Sequence, residues 1–192
     1  MPGDGLPSLP DQEDVTKTYM DGQYIPAGPV IIDELNSDSS ESDIRNTWSL
    51  ILESVFSIFE GFRIGHKFKS IDGREGLNVS IWTGHRQIEY RYISFIILDA
   101  KAALNPNTAL SQVICENQLL DYVDSSGNEE LGGPWGILCI GKNVQFYKLK
   151  TSGSWAELVR LHEDMLRIDL QPRSVTKRLQ HIREQILSAK EI

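Results

Sequence analysis

Two cysteines in 192 residues are too few for a disulfide framework, and none of His85, His162 and His181 stands at a metal-ligand spacing from either thiol or from one another. A zinc site is not expected. No run of 18 apolar residues is available to cross a membrane, and no basic, apolar leader opens the chain, so an intracellular protein with no membrane partner is expected. A glycine-rich phosphate loop, an internal repeat and a heptad pattern are all missing. An excess of positive charge is missing too: the formal net charge is −8, which argues against avid, non-specific binding to nucleic acid.

That charge is unevenly spread. Residues 1–43 hold ten carboxylates against Lys17 alone, so the other 149 residues sit at about +1 and leave room for a basic groove. The same segment is rich in Pro, Gly, Ser and Asp. Residues 1–42 are expected to be a disordered acidic tail, and 43–192 a single domain. Within the tail, the apolar residues of Tyr19 to Ile32 could dock on the domain or on a protein partner. The Ser- and Asp-rich stretch from Asn36 to Asp43 could accept phosphates or serve only as a linker.

In the domain, Ile44, Trp48, Ile51, Leu52, Val55, Phe56 and Phe59 recur at helical spacing, predicting a helix over Asp43 to Glu60 capped by Ser42 or Asp43 and ended by Gly61. Phe62 to Ile71 and Leu77 to Trp82 read as strands across an Asp72-Gly73 turn. A third strand runs from Arg86 through Leu98. Thr108 to Val123 fits an amphipathic helix. Gly132 to Gly136 breaks the chain, and strands follow over Ile137 to Ile140 and Val144 to Leu149. Ser154 to Ile168 reads as a helix, as does Arg173 to Lys190, whose stripe is Val175, Leu179, Ile182 and Ile186. Cys115 and Cys139 fall in a predicted helix and a predicted strand, as reduced, apolar thiols.

The most informative stretch is Ile93 to Lys101, a buried-looking strand ending in Asp99-Ala-Lys101. Residues two apart on a strand share a face, so an acid and an ammonium would stand side by side where an apolar sheet meets water. Strands also end in charge simply where they leave a core. An acid that holds a divalent ion beside a lysine that positions water is, however, the minimum for metal-assisted phosphodiester hydrolysis. Gln118 and Tyr122, four apart, share one face of the helix that follows.

An apolar strand ending in (D/E)xK, then a helix carrying QxxxY, resembles the PD-(D/E)xK nuclease superfamily, and the QxxxY element is similar to that of its RecB-like branch. The layout is also similar to compact PD-(D/E)xK domains of many fungal proteins. The resemblance covers roughly Ile44 to Lys150. It implies an α/β, restriction-endonuclease-like core of helix, three-stranded meander, helix and strand hairpin, with C-terminal helices. It implies a nuclease-like domain that hydrolyses or binds nucleic acid, with Mg2+ or Mn2+ as cofactor. Asp99, Lys101, Gln118 and Tyr122 would be catalytic, and Asp99 a metal ligand. The family's middle-strand acid falls at Asn78, whose neutral carbonyl is a weaker ligand for a hard cation. Glu53 or Glu60 on the first helix could contribute instead, as could Asp72 or Glu75. Arg63, His66, Lys67, Lys69 and Arg74 form the most basic local segment and are candidates for phosphate contacts, or a solvated strand face. Loss of the middle acid opens an alternative: a catalytically inactive nuclease fold that binds nucleic acid or protein.

Overall fold

In the computed structural model, residues 17–22, 25–69, 75–84, 90–101, 109–125, 134–152 and 155–190 are described. Four helices and seven strands follow in the order α1 (Gly28–Glu34), α2 (Glu41–Val55), β1 (Phe62–Lys69), β2 (Glu75–Gly84), β3 (Tyr90–Lys101), α3 (Ala109–Ser125), β4 (Trp135–Ile140), β5 (Asn143–Ser152), β6 (Trp155–Arg160), β7 (Leu166–Arg167) and α4 (Pro172–Lys190). The strands form one mixed sheet in the order β1-β2-β3-β4-β5-β6, with β7 paired to β5. β1, β2 and β3 make an antiparallel meander; β4 lies parallel to β3 and then turns back into β5. A parallel step requires a crossover, and α3 supplies it.

Alternation along the strands divides the core in two. Leu77, Val79, Ile81, Ile137, Cys139, Val144 and Phe146 face α2 and α4, where Ile44, Trp48, Ile51, Leu52, Val175, Leu179, Ile182 and Ile186 are buried with them. Leu138, Ile140, Tyr147 and Leu149 point the other way, into a smaller cluster with Cys115, Leu119, Tyr122 and Val123 of α3. Gly136 is part of β4, not of a chain break. A side chain there would crowd Leu119, whose Cδ2 would lie 3.1 Å from a Cβ, so the glycine lets α3 come close.

The tail expectation fails over 17–22 and 25–40. Tyr19, Ile32 and Leu35 join the larger core cluster, and the Tyr19 hydroxyl donates to the Ile168 carbonyl at 2.8 Å. Burial, with Asp169 nearby, pushes the Tyr19 phenol well above its ordinary range. Apolar residues here are sparse but placed on one side of a short helix, enough to bury α1 against α2. The Ser- and Asp-rich stretch is folded as well. Asn36 Oδ1 accepts from the Asp38 N–H at 2.8 Å, and Ser40, not Ser42 or Asp43, caps α2 in a reciprocal box with Asp43. That box holds the Asp43 carboxyl below its usual range, chiefly through the Ser40 hydroxyl.

Two further expectations are corrected. α2 stops at Val55, and Ile58–Glu60 is a separate 3-10 turn closed by Gly61 at φ 91°. The helix expected over 154–168 is strand β6, a bend and β7. Trp155-Ala-Glu-Leu-Val-Arg160 pairs residue for residue with Tyr147–Ser152 of β5, and hairpin pairing overrides the local helix pattern.

Candidate functional site

Strand register places the proposed site. Asn78 stands opposite Gly65 on one side and position 97 on the other, and the same row continues through Gly136 and Tyr147 to Arg160. Leu77, one residue away, belongs to the α2 face and is paired with position 98. Positions 97 and 99 therefore fall on the α3 face. Position 99 is opposite Leu138, and Lys101 is opposite Ile140, both members of the α3-side cluster. Two independent strand pairings thus assign Asn78, position 99 and Lys101 to one face. The side chain at 99 lies outside the described residues.

Lys101 is 8% exposed, an ammonium nearly enclosed at the last residue of β3, and its carbonyl accepts from the Gly141 N–H at 3.1 Å. Gly141, at φ 56°, makes the turn that carries β4 into β5 beside it. Asn78 is half-buried, and its amide oxygen rests on Gly65: a Cβ at 65 would collide with Asn78 Oδ1. The carbonyl oxygen is turned toward β1, away from β3.

Of the α3 residues, Tyr122 is buried in the cluster with Leu119 and Leu138 and Gln118 is half-buried, so Tyr122 contributes packing to this face. Glu53 is not brought to the site. It is exposed on α2, across the sheet from position 99, and accepts from the Ser49 hydroxyl at 3.3 Å. Glu60 is engaged elsewhere, in a two-toothed ion pair with Arg183 of α4 whose Nε–Oε2 arm is 2.8 Å. Arg63 is exposed on β1, the edge strand, opposite Ser80 and therefore on the same face as Asn78. Lys67 and Lys69 belong to β1, with Lys69 opposite Glu75, but the side chains of His66, Lys67 and Lys69 lie outside the described residues, as do Asp72 and Arg74 entirely.

α3 packs over β3 to β6. The arrangement is a sheet face sheltered by a helix on one half and carrying Arg63, Asn78 and Ser80 on the other. As to metal, no group of three His, Cys, Asp or Glu comes together among the described residues. With Asn78 neutral and turned to Gly65 and Glu53 across the sheet, the donors described do not complete a magnesium or manganese site.

Sequence reasoning missed a polar network beneath α3. Glu116 Oε1 accepts from the Tyr147 hydroxyl at 2.7 Å and from Arg160 Nε and Nη2 at 3.1 and 2.6 Å. Burial opposes the Arg160 charge, and the Glu116 carboxylate more than offsets it, raising the guanidinium above its ordinary value. The missed signal was the strand identity of Trp155–Arg160, without which Arg160 could not be placed opposite Tyr147.

Comparison with known proteins adds no relative: no family model, no curated protein and no solved structure matches the chain.

Proposed function

We propose that this chain is a nuclease-like domain of PD-(D/E)xK type that binds nucleic acid across the α3 side of its meander without a complete hydrolytic metal site. One observation carries the reading: register aligns Arg63, Asn78, position 99 and Lys101 on one face, beside the helix that bears Gln118 and Tyr122. The element order, helix, antiparallel meander, helix, parallel strand and hairpin, is the order expected of a restriction-endonuclease-like core. Arg63, an exposed cation on the edge strand of this face, suits a phosphate backbone, while Lys101 lies buried at the end of β3. Asn78 favours binding over cleavage, because an amide oxygen packed on Gly65 is a poor partner for a hard cation.

The opposing reading, metal-dependent hydrolysis, rests on Asp99 standing two residues before a buried lysine. Labelled single-stranded DNA, duplex DNA and RNA, incubated with manganese or magnesium, decide between them. The expected result is retention of label by the native chain without cutting, weakened in Arg63→Ala and falling steeply with salt. Metal-dependent cutting that Asp99→Asn and Lys101→Ala abolish would replace binding by catalysis. Neither binding nor cutting by folded protein would remove nucleic acid from the reading altogether.

A further inference from the structure

An open cleft lies on the other side of the molecule. It is a cavity of about 460 Å3 between α1 and the start of α2, within the range of sites that enclose a ligand. Its floor is apolar: Leu35 is buried, and Ile31 and Leu50 are partly so. A small void of about 10 Å3 lies behind it and shares Ile31 and Leu50, so the floor is not fully packed. Its rim is acidic, with Glu34, Asp38 and Asp43 all exposed, and among the described residues no Lys, Arg or His lines it.

The charge here opposes the local backbone. α1 ends in Asp33 and Glu34 with no basic residue in its last turn, although a helix C-terminus carries partial negative charge and favours cations. Lys142 reaches the Asp33 carbonyl at 3.3 Å and Asp169 at 3.9 Å, but does not line the cleft. Asp43 is kept ionised by the capping box, so its charge does not retreat in mildly acidic solution. An apolar floor, three carboxylates and a helix end of the same sign are complementary to one kind of occupant: an aliphatic chain flanked by positive charge.

We infer that this cleft docks a basic, amphipathic segment of a partner protein, with an aliphatic side chain on Ile31, Leu35 and Leu50 and its Lys or Arg groups on Glu34, Asp38 and Asp43. The inference does not depend on the β3 site. α1 and the connection after it build one wall of the cleft and supply Glu34 and Asp38, which gives the ordered part of the N-terminal region a role besides burial.

The test uses the full chain and two labelled helical peptides of equal length, one with Leu on one face and Lys on the other, the second with Glu in place of Lys. Fluorescence anisotropy should show binding of the Lys peptide and none of the Glu peptide. The pair Glu34→Gln with Asp38→Asn should weaken the Lys peptide by about three- to tenfold. Asp121→Asn with Asp124→Asn, exposed on α3, changes net charge equally and should leave affinity within about twofold. No binding of the Lys peptide, equal binding of the Glu peptide, or equal loss in the two variant pairs would overturn the proposal. Equal loss would mean attraction to the net negative chain and not to this cleft.

Discussion

The two faces of the sheet are built to different standards. On the α2 and α4 side Leu77, Val79, Ile81, Trp135, Ile137, Cys139, Val144 and Phe146 give an apolar row, broken at Lys148 over the Trp135 ring, and two long helices cover it. On the α3 side the described apolar cluster is built from α3, β4 and β5, and the first two strands carry Arg63, Asn78 and Ser80. A face that served stability alone would have been filled. The contrast teaches that the fold is held chiefly from one side, which leaves polar residues on the other at small thermodynamic cost.

The sharpest way to break this comparison is to delete one fully buried side chain from each side. Trp48→Ala, which empties a fully buried indole site between α2 and the sheet, should cost about 3–5 kcal/mol and leave little folded protein at physiological temperature. Leu119→Ala on α3 should cost about 2–4 kcal/mol, with urea denaturation giving both values. A larger loss at Leu119 than at Trp48 would reverse the assignment of faces. Next in size is Gly65→Ala. The added methyl must displace Asn78, and overpacking there should cost about 1–3 kcal/mol. The double variant with Asn78→Ala should recover most of that loss; no recovery would mean that the strain lies in the β1 backbone and that Asn78 is not resting on Gly65.

How much of this could be read beforehand follows the same division. α2 and α4 were legible because each carries a strong period, Ile44, Trp48, Ile51 and Leu52 at helical spacing and Val175, Leu179, Ile182 and Ile186 likewise; in α3 the period is weaker, and Val113 and Ile114 of its expected stripe are exposed. The common face of 99 and 101 was legible from strand parity; that 78 joins them depends on the pairing register, which the sequence does not show. In the N-terminal segment, docking of Tyr19 to Ile32 on the domain was one of the two outcomes its apolar residues allowed, and Tyr19 and Ile32 are buried there; the order of 36–40 was not legible, because its composition resembles a linker. β6 was not legible because the local pattern of Trp155–Arg160 reads as a helix start and its strand form comes from pairing with β5. Glu53 was misassigned because sequence shows which helix a residue is on but not which face of the sheet that helix covers.

The ordered N-terminal segment yields a smaller effect. Ser40→Ala removes the α2 cap and should cost about 1 kcal/mol, read as a lower urea midpoint with unchanged slope. Since Ser40 holds Asp43, which lines the acidic cleft, the same variant should leave the β3 face unaffected. A parallel loss of nucleic-acid binding would join two regions that the structure keeps apart.

The smallest effect belongs to His162, at the far end of the larger core. Its Nε2 accepts from the Phe146 N–H at 3.2 Å while Nδ1 donates to the Asp164 carbonyl at 2.6 Å, and the His162 carbonyl accepts from Gln145 Nε2 at 2.8 Å. The ring therefore bridges β5 to the bend after β6 only in its neutral form. Burial is the main force holding its pKa below the ordinary value; Arg178 and Arg160 push the same way, while the Asp164 carbonyl hydrogen bond and carboxylate oppose them. Below about pH 6.5 the unfolded chain takes up a proton that the folded ring resists, so stability present at neutral pH is lost as pH falls through that value toward the folded pKa. Asp43 and Asp169, both held below their ordinary value, lose their contributions in a lower window, near and below pH 4, so the two effects separate. Urea midpoints should fall between about pH 7.5 and about pH 5.5 in the native chain and change less over that interval in His162→Gln. An unchanged slope in the variant would assign the titration to another group and leave His162 a packing residue with no proton-linked role.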